Sequence, residues 1–501
     1  MIFNEQSSFT GPTDKSHYIL VFFIFFISLV NGFQILEIPY IGLAEGLGYD
    51  GSWYLQSTFE FLPKTDNYHI FRILPATLVF ILKEIFDFGP SIHESVRMFQ
   101  FFNLGCILFS CVFTELISRR LNFRRADKFI FYCFLYLNFH VLKDSVYNPV
   151  MTDSLVFCLA LGLFYTTLEN KKILFSFLAL LAFFTLPFLS FFFIGERILR
   201  QIDNHFLGKT PKLNLSLILS ILVPALFFIG TCFIVYGMGR YTLLTFPDKI
   251  SPYLFPISII LLCICLYFLI NLHKNLINDL VLSFGDWRKY LVWESFFLLF
   301  LIVLQFGLSK INNFAPKGFI GNFTLSPPLY MTLKPLIGLF DNIMFFGLPV
   351  ILFLFFLPKF INLVNHRVSI LFITFFLCLF LLKPEARHTI LFLPFLVSIV
   401  MLFFKRIQFS RMECLAIFFI GIFFSKVWYP VQLSWFPSAY KIFTSEVNHD
   451  SFQEFPAQHY FMFQGPMISH VNYSIWLIFI GLGVLFVWKI LAKHHLLNYK
   501  K

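Results

Sequence analysis

Long apolar runs separated by short polar segments make up most of this chain. A membrane-spanning helix needs about 20 mostly apolar residues, and about fourteen runs approach that length. They predict an all-α polytopic membrane protein, a single integral membrane domain over residues 1–501. The expected spans are 17–37, 97–117, 129–142, 154–168, 173–186, 187–199, 213–236, 253–272, 290–308, 336–357, 368–382, 389–404, 412–428 and 473–491.

Composition supports the membrane class. Of all residues, 58% are hydrophobic and 13% are charged, and the mean hydropathy is +0.78. Soluble chains carry about 25% charged residues. The 9 cysteines lie in apolar segments without CxxC or zinc-ligand spacing, so they are interpreted as small apolar side chains. No phosphate-binding loop, dinucleotide fingerprint or metalloprotease motif occurs, so no cofactor is predicted and no motif supports a metal ion.

The basic residues indicate the topology rather than nucleic-acid binding. The net charge of +11 is spread over short loops. Lys and Arg are more frequent in alternate loops, which all lie on the same predicted side of the membrane. This bias predicts that both termini are cytoplasmic. The run 73–88 could be a span, but crossing there would move the basic cluster 119–128 outside. It is predicted to be a surface helix, with a second near 51–62, inside a first extracytoplasmic loop at 38–96. The last large outer loop is 429–472.

The first outer loop carries the strongest candidate chemistry. Asp50 stands between Tyr49 and Gly51, with Trp53 and Tyr54 just behind. Asp-Gly is also a favoured turn pair, so a plain turn remains an alternative. The functional interpretation is that Asp50 is a general base and that the aromatic residues form a wall for a sugar ring or a lipid.

Further candidates lie on the same predicted side. Asp153 follows the third span and is either a second outward carboxylate or the cap of the next helix. His69 and Arg72 precede the surface helix, where Arg72 either clamps a phosphate or reaches towards lipid headgroups.

A charged hinge between two later spans adds Lys383, Arg387 and His388, which suit an anionic phosphate or form a plain turn. Asp341 lies near the outer end of its span and is expected to face a wet cavity, because a carboxylate in lipid costs about 2.5–3.5 kcal/mol.

These segments resemble the GT-C superfamily of polytopic glycosyltransferases. The stretch GYDGSWYL followed by HIFRILP is similar to the first outer loop of bacterial members. NPVMTDSLVF resembles their segment with an aspartate at the start of a span, and EARHTILFLPFLV resembles a late Arg-containing turn. The similarity covers about residues 17–200 and 370–405, and Asp50 lacks the neighbouring acidic residue of metal-dependent members.

The resemblance implies a substrate and a mechanism. The donor would be a polyprenyl-phosphate sugar, and the acceptor a glycan, lipid or protein at the non-cytoplasmic face, here of a bacterial inner membrane. Asp50 would take the proton of the acceptor hydroxyl, while Arg72 and Arg387 would stabilise the leaving phosphate. The catalytic carboxylates would be Asp50 and Asp153. The implied partners are the donor, the acceptor and the bilayer, with no nucleic acid.

Three alternatives stay open, and one of them is a non-catalytic membrane subunit, which only a loss of activity in variants would exclude. An O-antigen-type polymerase or ligase also has many spans and long outer loops, but would need its basic residues in the middle and late loops. A lipid-linked sugar flippase or another transporter would suit fourteen spans, but would be expected to show paired repeats and charges at the membrane midplane. Here the charged candidates collect on one predicted face.

Overall fold

The computed structural model describes residues 17–37, 51–59, 70–89, 91–203, 215–233, 251–272, 293–311, 334–363, 386–405, 407–428 and 470–493. Within these ranges every regular element is helical. The longer helices are α1 His17–Glu37, α2 Gly51–Gln56, α3 Leu74–Phe86, α4 Ile92–Arg120, α5 Arg125–Tyr136, α6 Asp153–Leu168, α7 Lys172–Phe183, α8 Pro187–Asp203, α9 Leu215–Cys232, α10 Ser251–Leu272, α11 Trp293–Ile311, α12 Ile337–Phe346, α13 Leu348–Leu363, α14 Leu393–Phe404, α15 Arg411–Ser425 and α16 His470–Lys493.

Five helical segments of the described chain are long and apolar enough to cross a membrane. They are His17–Leu36, Ile92–Arg120, Tyr253–Asn271, Ala386–Phe404 and Val471–Ile490. On α1 the side chains of Phe25, Leu29 and Phe33 recur at helical spacing and are exposed. An exposed apolar stripe of this kind suits contact with lipid. The part of the chain that is described is therefore a helical membrane bundle, and the full set of fourteen spans stays a prediction.

Two predicted spans are interrupted in the structure. The span 336–357 breaks at Gly347, whose φ of 73° separates α12 from α13. A Cβ there would lie 2.7 Å from Cβ of Phe424, so glycine is needed for both reasons. The span 129–142 also ends early, because α5 stops at Tyr136 and a short π-helix follows over His140–Asp144. The predicted span at 368–382 lies outside the described residues.

The bundle core forms where α4 packs along α6, and α5 packs against α14 and α15. Two segments of the bundle can approach each other closely where a small residue of one faces a large residue of the other. A Cβ on Gly421 of α15 would lie 2.8 Å from Cβ of Leu137, which brings α15 against the chain just after α5. This packing buries the connection between α5 and α6 inside the bundle.

Charged groups at one end of the helices are joined by ion pairs. Lys128 and Arg119 both contact Glu115, at 2.9 and 2.7 Å, and Arg120 pairs with Glu169 at 2.9 Å. Arg197 and Glu294 form another pair, at 3.1 Å. These residues belong to the loops predicted to be cytoplasmic or lie beside them. The candidate site residues lie at the opposite ends of α4 and α6.

The stretches predicted as surface helices are helical in part. The first is α2, which ends at Gln56, and the second is α3. They pack with the start of α4 in a small separate core that also includes Val150 from the connection between α5 and α6. Inside it, Lys83 of α3 donates a hydrogen bond to Ser95 Oγ at 2.7 Å. The first predicted outer loop thus contacts the second.

Candidate functional site

The connection between α5 and α6, residues 137–152, is buried although it is irregular. Its centre is the π-helix His140–Asp144, in which His140 Nδ1 lies 3.2 Å from Asp144 Oδ2. The His140 ring stacks beside Phe345, with ring centroids 6.2 Å apart. π-helical turns are rare and often occur at functional sites.

Amide side chains from two long helices bind the backbone of this connection. From α1, Asn31 donates to the carbonyl of Val141 at 2.9 Å and Gln34 to that of Leu142 at 2.6 Å. Irregular backbone leaves carbonyls without helical partners, and in an apolar bundle each must be satisfied within the protein. Asn31 and Gln34 of α1 therefore satisfy backbone carbonyls of the connection.

The amides of α4 complete this support. Gln100 donates to the carbonyl of Val146 at 2.8 Å. Asn103 donates to the carbonyls of Ser145 at 2.9 Å and Pro149 at 2.8 Å. Proline has no N–H, so the carbonyl of Ser145 cannot receive the usual helical bond from position 149. Asn103 supplies that bond from another helix.

Asp153 begins α6 and meets residues from distant parts of the chain. Its Oδ2 lies 3.8 Å from Nη1 of Arg387, and both side chains are largely buried. Arg72, His140 and Asp144 are also within electrostatic range of Asp153. The helix cap is Thr152, so Asp153 does not fill the capping position that was its alternative role. Two arginines of separate predicted motifs thus act on one carboxylate.

The hinge residues differ from one another in exposure. Arg387 and His388 lie in the 3₁₀ helix Ala386–Phe392, where Arg387 is buried and His388 is half-buried. Nη1 of Arg387 also contacts Sδ of Met151 at 3.1 Å. The hinge is thereby joined to the connection between α5 and α6.

Asp341 is completely buried in α12, and its Oδ2 accepts a hydrogen bond from the backbone N–H of Ala386 at 3.1 Å. It thus holds the start of the 3₁₀ helix that carries Arg387. This contact gives Asp341 a positioning role in the described structure, where a wet cavity was expected.

Two lysines lie beside this cluster. Lys143 Nζ donates to the carbonyl of Lys426 at 3.2 Å, and Lys426 Nζ lies 4.3 Å from the ring centroid of Phe139. Burial lowers the pKa of Lys143 to about 7, since a charged ammonium loses its hydration there. The connection therefore holds a cation that can lose its proton near neutral pH.

Other predicted residues lie apart from this cluster or beyond what is described. Tyr54 is buried in the small core of α2 and α3, so it packs against protein side chains there. Gly51 begins α2 and is buried, and Trp53 lies on the same helix. The remaining predicted site residues fall outside the described residues; they are Tyr49, Asp50, His69 and Lys383.

Sequence reasoning missed the polar residues of the π-helix. His140 lies inside the apolar run that predicts a span over 129–142, and Lys143 and Asp144 follow this run directly. Their density was a usable signal, because ionisable residues inside an apolar segment are costly and tend to be functional. Among the described residues, no group of three or more His, Cys, Asp or Glu could hold a metal ion.

No protein-family model matches the chain, and no curated protein or solved structure matches it significantly. The cluster of Asp153, Arg387, Arg72 and the π-helix is therefore the basis on which a function can be proposed.

Proposed function

We propose that this protein is a membrane glycosyltransferase that moves a sugar from a polyprenyl-phosphate donor to an acceptor hydroxyl at the non-cytoplasmic face. One observation carries the proposal. Asp153 and Arg387 are far apart in sequence, yet they lie 3.8 Å apart, and Arg72 is within electrostatic range. A carboxylate beside one guanidinium group and within electrostatic range of a second suits a reaction in which a phosphate leaves and a hydroxyl loses its proton.

The transfer would proceed with inversion at the sugar carbon. The acceptor oxygen forms a bond to that carbon as the bond from carbon to the phosphate oxygen breaks. The acceptor proton passes to a carboxylate, for which Asp50 is proposed, and the negative charge leaves with the phosphate. Arg387 and Arg72 would stabilise that charge in a site from which water is largely excluded. Asp153 would hold Arg387 in position.

The packing of the first and second predicted outer loops supports this assignment. Val150 belongs to the small core with α2, and Gly51 at the start of α2 follows Asp50 directly in sequence. The backbone N–H of Leu74 donates to the carbonyl of Phe184 at 3.0 Å, which ties the segment after Arg72 to the break between α7 and α8. Both contacts join the first loop to the bundle on the side where the candidate cluster lies.

The test is sugar transfer by purified protein from polyprenyl-phosphate sugars that carry a label in the sugar. Asp153→Asn and Arg387→Gln are expected to lower the rate by roughly a hundredfold or more, because each removes a charge from the reacting region. Arg120→Gln is the matched control. Arg120 pairs with Glu169 at the other end of the bundle, so transfer should stay within about twofold of wild type.

The Asp50→Asn variant tests the proposed base. Loss of transfer with normal expression and membrane insertion supports Asp50, whereas full transfer moves the base to Asp153 or another carboxylate. Full activity of both Asp153→Asn and Arg387→Gln would contradict the proposed site. If the wild-type protein transfers no sugar but moves a lipid-linked sugar across vesicle membranes, the protein is a transporter.

A further inference from the structure

Three side chains beside the candidate cluster line up as hydroxyl, imidazole and carboxylate. Ser154 Oγ lies 3.5 Å from His140 Nε2, and His140 Nδ1 lies 3.2 Å from Asp144 Oδ2. The two ring nitrogens thus face different partners. In serine hydrolases and acyltransferases the nucleophile meets Nε2 and the orienting carboxylate meets Nδ1. The same order holds here.

The local fold explains why these groups meet. His140 and Asp144 are the first and last residues of the π-helix, so their side chains share one face. Ser154 is the second residue of α6, just beyond the connection whose carbonyls are bound by amides of α1 and α4. All three side chains are buried.

We propose that Ser154 is a nucleophile that accepts an acyl group from an ester lipid. Ser154 Oγ would attack the ester carbonyl carbon while His140 Nε2 takes the hydroxyl proton. The ester C–O bond then breaks, and the leaving alcohol receives the proton from His140. The product is an acyl ester on Ser154, which a second hydroxyl or water releases by the reverse sequence. Asp144 orients the imidazole and stabilises its charged form.

The neighbouring charges indicate which ester would bind. Asp153 precedes Ser154 in sequence and lies beside Arg387, with Arg72 in electrostatic range. A glycerophospholipid carries its acyl esters close to a phosphate, so its phosphate could meet these guanidinium groups while an ester reaches Ser154. The surrounding bundle is apolar, as an acyl chain requires. An anionic glycerophospholipid therefore fits better than a soluble ester.

A buried amide supports a ligand at this place. Asn148 lies in the same connection and is 3% exposed. Within the described residues, neither its Nδ2 nor its Oδ1 has a hydrogen-bond partner. A buried amide without partners is unfavourable. A phosphoester headgroup or an ester carbonyl would supply the missing partners.

The experiment uses full-length protein and does not depend on sugar transfer. Purified protein is incubated with a fluorophosphonate probe, and separately with phosphatidylglycerol vesicles whose acyl chains are labelled. The modified residue is then identified by mass spectrometry. We expect both labels on Ser154. Ser154→Ala and His140→Gln should lower labelling by about a hundredfold or more. Ser154→Cys should keep the lipid label as a thioester that hydroxylamine removes.

Ser145→Ala is the matched control. Ser145 is equally buried in the same connection, but its Oγ donates to the carbonyl of Val141 at 3.2 Å. Its labelling should equal that of wild type. The proposal is overturned if folded wild-type protein takes up neither label, or if Ser154→Ala is labelled as strongly as wild type. If the Asp144→Asn variant unfolds at a lower temperature but is labelled as strongly as wild type, Asp144 has a structural role only.

Discussion

Asn103→Leu removes the side chain that joins α4 to the buried connection before α6. The asparagine amide donates to the carbonyls of Ser145 and Pro149, at 2.9 and 2.8 Å. The Pro149 carbonyl keeps a second donor, the backbone N–H of Met151 at 2.8 Å. The Ser145 carbonyl has no N–H at position 149 to replace Asn103. Leucine has a similar size, so the substitution mainly removes the two hydrogen bonds.

The expected loss follows from these two acceptors. An orphaned buried carbonyl costs about 1–3 kcal/mol, and a lost bond to an acceptor that keeps another donor costs about 1 kcal/mol. Asn103 Oδ1 has no hydrogen-bond partner among the described residues, so its removal returns part of this free energy. We therefore expect Asn103→Leu to lower the free energy of unfolding by about 2–3 kcal/mol.

Buried cysteines provide the assay. Cys106, Cys111, Cys133 and Cys158 lie in α4, α5 and α6 around this connection, and all are free and buried. A thiol-reactive fluorophore in detergent solution therefore reports when these helices separate. A loss of this size should lower the unfolding midpoint by about 2–3 °C, because the entropy of unfolding grows with chain length. Sugar transfer should fall as well, because the connection leads into Asp153.

Asn342→Leu is the matched control for this prediction. Asn342 is also buried, and its Nδ2 donates at 2.8 Å to the carbonyl of Gly338, which lies four residues earlier in the same helix. That carbonyl is in position to accept a backbone bond as well, so the change should cost less than about 1 kcal/mol. Equal midpoints for Asn103→Leu and wild type would refute the argument that the amide supports the connection. An equal loss in both variants would refute it too.

Three further predictions concern a buried ion pair, a glycine and a buried lysine. Glu115→Leu should cost about 3–5 kcal/mol, because it leaves the ammonium of Lys128 buried without its carboxylate, 2.9 Å away; the thiol assay measures this loss. Gly347→Ala should cost about 1–3 kcal/mol by the same assay, since φ is 73° and a Cβ would contact Phe424. The pKa of Lys143 is about 7 in the folded protein, whereas an exposed lysine has a pKa of about 10.5. Between pH 7 and pH 10.5, Lys143 therefore binds more protons in the unfolded chain than in the folded one. Stability should therefore rise as the pH is raised from 7 to 10, and this rise should be weaker in Lys143→Met.

Each of these predictions has its own control. The double variant Glu115→Leu with Lys128→Met should recover most of the stability, because neither charge of this pair is then buried; additive losses would contradict the ion-pair argument. Gly105→Ala has open space around its Cβ in α4 and should be neutral or stabilising. A midpoint for Gly347→Ala as high as that of Gly105→Ala would contradict the steric argument. Equal pH slopes in wild type and Lys143→Met would show that Lys143 is not the titrating group.

Helix positions were predictable wherever a long apolar run had clear ends. The run 17–37 is helical over the whole of its predicted length as α1, and the boundary predicted between the spans 173–186 and 187–199 separates α7 from α8. Such runs carry their own signal, because backbone groups inside an apolar layer must bond within the segment. The interruption at Gly347 was not predictable in the same way. It depends on the side chain of Phe424, which belongs to another helix.

The candidate site was predictable only in pieces. Asp153, Arg387 and Arg72 were each selected from local polarity, but no local pattern gives the 3.8 Å contact between the first two. The π-helix His140–Asp144 was missed because a hydropathy window averages its charges with the apolar residues before it. Its shape depends on amides of α1 and α4, which are far away in sequence.

By itself the sequence determined the class of this protein, an apolar helical bundle with its charges towards the ends of the helices. That information is local, since the burial of a helix in lipid depends on the composition of about 20 consecutive residues. Only the tertiary structure decided which polar residues meet. Ser154 contacts His140, and His140 contacts Asp144, because side chains of α1 and α4 hold the connection that contains them inside the bundle. Contacts between distant segments depend on the shapes of all the helices between them, and no short window of sequence contains that information.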